Sequence, residues 1–409
     1  MNEREIKEIE DRYFAPVYEK LPIVIVKGRE ATLWDINGKE YIDCMGGYGV
    51  AIVGHCNKKV IEAINEQSKR LITCHGSLYN DARAELLEKI VKISPKGLDN
   101  VYLCNSGAEA VECALKLARK YSGKPEVIAM TKGYHGKTLG ALSVTWNQKY
   151  RLSFLPLLSD VKFAPFGDTE KVRETLTEKT GAIIVEPIQG ESGIYVAPDG
   201  FLKELREICD EKNIVLIFDE VQTGFGRTGK MWAFEHWNVV PDVICLAKGM
   251  AGGLPLGATL AKSEIMSAFK TGDHTSTFGG NPLSCAAASA TIDYILEEKL
   301  VERAANLGTI FKKRLENIKE NHRIVRDVRG LGLMLGMELR FDIKNILMRG
   351  IEKGLIMLYS GKNILRFLPP LVISEKQIHK AMDILEGLVS EDEKVKIEVR
   401  SQENNYDLR

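Results

Sequence analysis

The sequence predicts an α/β protein: a mostly parallel sheet in a large domain, with a smaller α+β domain built from both ends of the chain. Three observations carry this. Between about residues 71 and 308, short apolar runs alternate with helical stretches, the rhythm of a helix-covered parallel sheet. Two of these runs, Ile214-Val215-Leu216-Ile217-Phe218 and Val243-Ile244-Cys245-Leu246, are apolar throughout, as strands buried on both faces are. Strand-like pieces with a hairpin signal precede the alternating region and a strand and helix set follows it, so both flanks can form a second unit.

Taken in order, residues 3–18 mix charge with Ile6, Ile9, Tyr13 and Phe14 and predict a short amphipathic helix. Strands are expected at 23–26, 31–35 and 41–44, with Asn37-Gly38 as a hairpin turn, both positions of which favour positive φ. Residues 46–54 form a glycine-punctuated crossing, and 58–71 a helix. The alternating region has strands at 101–104, 126–130, 182–185, 214–218 and 243–246, with helices at 110–120 and 283–296. A long connecting helix follows at 300–319, then strands at 324–329, 333–339 and 364–368 and helices at 343–353 and 375–388. The charged tail 390–409 is poor in large apolar residues, the composition of a disordered segment. The expected division is 1–57 and 309–389 as the two parts of the small domain, 58–308 as the large domain, and the tail. No internal repeat is present.

A length of 409 residues suits two to three domains, or a large domain with a smaller partner. At 44% hydrophobic and 27% charged residues, the chain can bury a sizeable core. The formal net charge of zero points away from nucleic acid or a membrane surface as a general partner. The eight cysteines show no CxxC and no metal-ligand spacing with histidine, so no metal is expected and a reducing, cytoplasmic setting fits. The charged first residues lack the apolar core of a signal peptide, and no apolar stretch reaches the ~18 residues of a membrane span.

The chemistry gathers at expected strand ends. The run ending at Phe218 delivers Asp219 and Glu220, followed by the glycine-rich loop 223–229. The run ending at Leu246 delivers Lys248 just before glycines. Open α/β sheets bind ligands at this edge. Lysine forms Schiff bases and a carboxylate can keep a pyridine nitrogen protonated, which together are what pyridoxal phosphate chemistry requires. Either residue alone reads as a surface lysine or a helix-capping aspartate; their arrangement, with the loops below, reverses that. Ser106 and Glu109 have capping-box spacing at a helix start, where Gly107 allows close approach and free N–H groups can meet an anion; an ordinary capped helix explains the same spacing. Tyr134 stands on a loop between Gly133 and Gly136, able to stack on a flat ring or simply to pack. Glu186 and Glu191 lie beyond another strand, and residues 277–282 make a polar loop before a helix.

The strings NSGAEAVE, GYHGKTLGALS, EPIQGE, FDEVQTGFGRTG, LAKG and TFGGNPL resemble, in order, the class III (ω-amino acid) aminotransferases of the type I pyridoxal phosphate-dependent transferase fold. The resemblance runs from about Tyr13 to Leu388. It implies that Lys248 carries pyridoxal 5'-phosphate and moves the proton, and that Asp219 pairs with the ring nitrogen. It implies that Val221 and Gln222 pack on or bond the ring, that Tyr134 stacks on it beside His135, and that Glu186 belongs to the cofactor site. Ser106, Gly107 and Ala108 would bind the phosphate, helped by Thr277 from the second subunit of a homodimer with shared sites. Lys137, Glu191, Ser276 and Arg366 would meet substrate. Two positions depart from the family pattern. Ala108 stands where many relatives have a hydroxyl, and Lys137 where acetylornithine-type relatives have an arginine that grips a carboxylate with a bidentate fork.

In the family, Arg366 would clamp the α-carboxylate of glutamate or 2-oxoglutarate, and Glu191 would pair with Arg366 when an ω-amine occupies the pocket. Residues 141–147 and 366–373 resemble most the branch acting on intermediates tethered to an amino-group carrier protein in lysine and arginine biosynthesis. The expected function is therefore transfer between carrier-linked lysine or ornithine and 2-oxoglutarate. Free N-acetylornithine comes next, then a diamine or 4-aminobutyrate. A glutamate semialdehyde mutase is a remoter alternative, opposed by the Glu191/Arg366 pair. A catalytically dead binding protein is opposed by intact Lys248 and Asp219.

Overall fold

A computed structural model describes residues 1–406. Its centre is a seven-stranded sheet in the order Leu98–Cys104, Gly257–Lys262, Val243–Leu246, Val215–Asp219, Thr180–Val185, Glu126–Met130, Val161–Ala164. The last five run parallel; Gly257–Lys262 is antiparallel to both of its neighbours. Every residue of Val215–Asp219, Val243–Leu246 and Thr180–Val185 is buried, which is why their sequences do not alternate.

The expected strands of this region are present within a few residues, and Gly257–Lys262 and Val161–Ala164 join them. Gly257–Lys262 reads GATLAK, mostly small residues without a β-branched run, so its composition carried little strand signal.

The two ends of the chain meet as expected. Ile25–Arg29, Thr32–Asp35 and Glu40–Asp43 form an antiparallel meander, and Leu355–Ile356 adds in parallel beside Glu40–Asp43. A second small sheet orders Val325–Leu331, Met334–Leu339, Ile364–Phe367 and Leu358–Ser360, all antiparallel. The architecture is the expected one, a large mixed α/β domain with a smaller α+β domain drawn from both termini.

Three local expectations differ. The first helix stops at Tyr13, with Phe14 as an extended cap before Pro16. In the Asn37-Gly38 turn only Gly38 is left-handed; the Asp35 carboxylate organises the turn by accepting from the Asn37 and Lys39 amides. The final helix, Glu375–Tyr406, continues into the tail expected to be disordered. That tail is tethered at its start: Arg349 pairs with Glu391 and Asp392, and Glu393 bonds His322 and the Ile324 amide. Residues 407–409 lie outside the described residues.

Candidate active site

Strand order places the chemistry. Val215–Asp219 and Val243–Leu246 are parallel neighbours with Asp219 opposite Cys245, so Asp219 and Lys248 emerge at the same sheet edge. The loop after Leu98–Cys104 and its helix Gly107–Ser122 reach this edge too, because the Gly257–Lys262 strand links them to Val243–Leu246. Together they enclose a cavity of about 400 Å³. Lining it are Ser106, Gly107, Ala108, Tyr134, His135, Lys137, Glu186, Asp219, Val221, Gln222 and Lys248, all expected from the sequence. The volume falls in the range of small-molecule and cofactor sites.

Lys248 is a left-handed residue, φ 42°, two positions past the strand end and the first residue of a short 3-10 turn, Lys248–Ala251. A lysine in this region is strained, and such strain persists only where surrounding structure imposes it. Burial pushes its amine below the ordinary lysine range, with Arg366 adding to the fall and Asp219, Glu191 and Glu186 opposing it.

Asp219 is 4% exposed. One carboxylate oxygen accepts from the Val221 amide at 3.0 Å, and the other meets His135 Nδ1 at 2.7 Å. Burial pulls the His135 imidazole down, but its hydrogen bond to Asp219 and the charges of Asp219 and Glu186 outweigh that, so its pKa is raised. Glu186 is also buried and accepts from two separated loops, the Tyr134 amide at 2.8 Å and the Gly190 amide at 3.0 Å. Burial and the nearby Asp219 charge push its carboxyl up to about 7.

At the other end of the cavity, Ser106 caps the helix Gly107–Ser122 by accepting from the Glu109 amide. The reciprocal half of the expected capping box is displaced: the Glu109 carboxylate reaches the Asn105 amide at 2.7 Å. The Gly107 and Ala108 amides have no acceptor within the helix and form an anion site at its positive end. A Cβ on Gly107 would fall 2.7 Å from Val221 Cγ1, so glycine is required for this approach.

Arg366, 1% exposed, donates through Nε to the Tyr359 carbonyl and through Nη1 to the Gly190 carbonyl. Its Nη2 lies 3.1 Å from the Glu191 carboxylate, yet makes no hydrogen bond, so the pair is electrostatic and poorly aligned. Arg366 and Glu191 act on Lys248 without lining the cavity themselves. Ser276 accepts from Asn105 at 3.1 Å, at the cavity's edge. Thr277 is exposed and outside this cavity. Sequence reasoning missed Tyr48 and Tyr150, both of which feel the charges of Glu191 and Arg366. No motif marks either one; only Tyr48's place between glycines hinted at an unusual backbone, and its φ is indeed 60°.

The cavity thus brings together a helix N-terminus, a buried carboxylate and a lysine. The buried side-chain amide of Gln222, whose Oε1 has no partner, stands beside them. The donor set suits an anionic phosphate ester of a pyridine aldehyde: the helix start would hold the ester, Asp219 would pair with the ring nitrogen and Lys248 would meet the aldehyde. Among the described residues no group of His, Cys, Asp and Glu could hold a metal, and no helix is long and apolar enough to cross a membrane.

A family profile described as Aminotransferase class-III matches residues 13–389. The acetylornithine aminotransferase of Methanopyrus kandleri is 45% identical over 378 residues, 92% of this chain and 96% of that one. Among solved structures, an ornithine aminotransferase from Toxoplasma gondii, with pyridoxal phosphate at partial occupancy, superposes with a TM-score of 0.93 at 34% identity, covering 96% of both chains. The acetylornithine aminotransferase of Elizabethkingia anophelis gives 0.85 at 36% identity, over 96% of this chain and 100% of that one.

Proposed function

The chain belongs to the class III aminotransferases, and from that membership we propose that it moves the terminal amino group of a carboxylate-bearing ω-amino acid, N-acetylornithine first, onto 2-oxoglutarate. The observation that carries this reading is the Glu191–Arg366 ion pair, whose charges both reach the Lys248 amine. A buried guanidinium covered by a loosely aligned carboxylate can be neutralised for an ω-amine and uncovered for an α-carboxylate.

The family's cofactor, pyridoxal 5'-phosphate, supplies the sink for electrons released when the substrate carbon–hydrogen bond breaks. The chain's own groups do the rest. Asp219, oriented by the Val221 amide and His135, presents its charge to the ring nitrogen. Lys248 takes and returns the proton at Nζ, and its lowered basicity brings the neutral amine nearer to working pH. Tyr134 and Val221 would cover the ring and Gln222 would bond its oxygen, while Glu186 holds the Tyr134 loop in place. Ser106, Gly107 and Ala108 would hold the phosphate, Ala108 through its amide alone. Arg366 orients an α-carboxylate, and Lys137 takes a remote carboxylate as a point charge. Thr277 finds a use if a second copy completes the site, in a homodimer.

The motifs ranked carrier-linked lysine or ornithine first. Similarity to acetylornithine and ornithine aminotransferases supports the free ω-amine instead, and with it a role in arginine biosynthesis. The test is a half-reaction followed by the cofactor's absorption. Holoenzyme is mixed separately with N-acetylornithine, ornithine, carrier-linked lysine and glutamate. Rapid conversion with N-acetylornithine and with glutamate is expected. Conversion only with the tethered amine returns the assignment to the carrier-linked pathway.

A further inference from the structure

The short helix Gln148–Arg151 lies beside the cavity and brings in Tyr150, which meets three groups of the site at once. The Lys137 ammonium sits over its ring, 4.6 Å from the centroid. Tyr134 packs against it edge-on, with centroids 6.0 Å apart and planes at 79°. Burial and the charge of the nearby Glu191 carboxylate raise the phenol's pKa against the opposing charge of Arg366.

The backbone around Glu191 is pinned on both sides. The Gly190 carbonyl accepts from Arg366 Nη1 at 2.9 Å, the Glu191 carbonyl from the Ser360 hydroxyl, and the Gly193 carbonyl from Arg329 Nε at 2.8 Å. Uncovering Arg366 therefore falls to the Glu191 side chain rather than to its loop. A half-buried carboxylate that leaves a guanidinium needs another donor. Tyr150 offers one within reach. Lys137, on a flexible four-carbon stem, likewise gains a fixed seat from the ring beneath it.

We propose that Tyr150 is a specificity-determining residue that couples the two ends of the pocket. Its hydroxyl takes up Glu191 when a substrate α-carboxylate displaces it from Arg366, and its ring seats Lys137 for a carboxylate at the far end of the ω-amine. This rests on the functional reading above, which assigns carboxylates to Arg366 and Lys137.

The test compares Tyr150→Phe and Tyr150→Leu with wild type as holoenzymes in single-turnover half-reactions. The amines are glutamate, N-acetylornithine and N-acetylputrescine, the last being the same ω-amine without its carboxylate. Y150F keeps the ring and drops the hydroxyl; the ratio of its glutamate constant to its N-acetylornithine constant is expected to fall about ten-fold. Y150L should in addition shrink the preference for N-acetylornithine over N-acetylputrescine about five-fold. Tyr150→Met gives the same comparison if Y150L loses the cofactor's absorption. A ratio unchanged within about two-fold in Y150F overturns the coupling to Glu191. An unchanged N-acetylornithine preference in the ring-less variant overturns the seat for Lys137. A wild type that reacts with glutamate and with none of the ω-amines overturns the functional reading, and the inference with it.

Discussion

Asp219→Asn exchanges one buried negative charge for a neutral group of the same shape, so it isolates what the charge does. One oxygen survives to accept from the Val221 amide, now at 3.0 Å. The position facing His135 Nδ1, now at 2.7 Å, becomes an NH2 group or an uncharged oxygen. A hydrogen bond to a charged partner is worth about 1.5–3 kcal/mol, and severing a buried charge pair costs about 3–5 kcal/mol. Asp219 is 4% exposed, so little solvent screening reduces those figures. If the charge serves the cofactor's ring nitrogen during proton removal, most of this appears in the barrier, and kcat should fall by about 10²–10³-fold. The assay is N-acetylornithine turnover with 2-oxoglutarate, with cofactor occupancy checked by absorption and folding by thermal unfolding. A cofactor analogue methylated at the ring nitrogen carries a permanent charge that no longer depends on a carboxylate, and should recover about ten-fold or more of the lost rate. A kcat within about five-fold of wild type at full occupancy would refute the reasoning. So would an analogue that gives no recovery.

Two further predictions use other parts of the site. Gly107→Ala puts a methyl group 2.7 Å from Val221 Cγ1, at the anion end of the cavity. Overpacking of this kind costs about 1–3 kcal/mol, so cofactor affinity should drop about ten-fold or more in an equilibrium titration, and Gly107→Ala/Val221→Ala should restore most of it; an unaltered affinity in the single variant would refute the cradle. Glu220, wholly buried beneath the glycine-rich loop and bonded by Thr223 and the Phe234 amide, has its carboxyl pushed by burial from 4.5 to about 7. A carboxyl raised in the folded state binds its proton more tightly there, so its contribution to stability is full below pH 4.5 and is lost as pH rises through about 7. That loss is on the order of 3 kcal/mol at most. Chemical denaturation of the wild type between pH 5 and 8 should therefore show stability falling, with a shallower fall in Glu220→Gln; equal slopes in the two proteins would count against it.

The cofactor half of the site was legible in the sequence, and the substrate half largely was not, for a physical reason. The groups proposed to hold the cofactor sit at or just past the ends of strands buried on both faces, and burial writes itself into the chain as unbroken apolar runs such as 214–218 and 243–246. Each run stops where a polar residue must emerge, so Asp219 and Lys248 announce their places locally, as does the capped helix at Ser106. The left-handed backbone of Lys248 did not show, because the glycines that follow it mark a turn without saying which residue bears the strain. The groups proposed to meet substrate are held by tertiary contacts over long separations. Arg366 reaches Gly190 across 176 positions, and Glu191 is fixed by Ser360 across 169. No period or spacing encodes such pairs; resemblance suggested Glu191 and Arg366, and nothing suggested Tyr150. The same separation explains how one chemistry can serve different amines. The strand ends that carry Asp219 and Lys248 are locked into the central sheet. Lys137 and Tyr150 stand on a loop and a four-residue helix at its edge, where a substitution changes the pocket without disturbing a strand. At 137, where the resemblance implies a forked arginine, this chain has lysine, whose ammonium lies 4.6 Å from the centroid of the Tyr150 ring; on the reading proposed above, that ring gives a single point charge the fixed position an arginine would obtain from its own planar geometry.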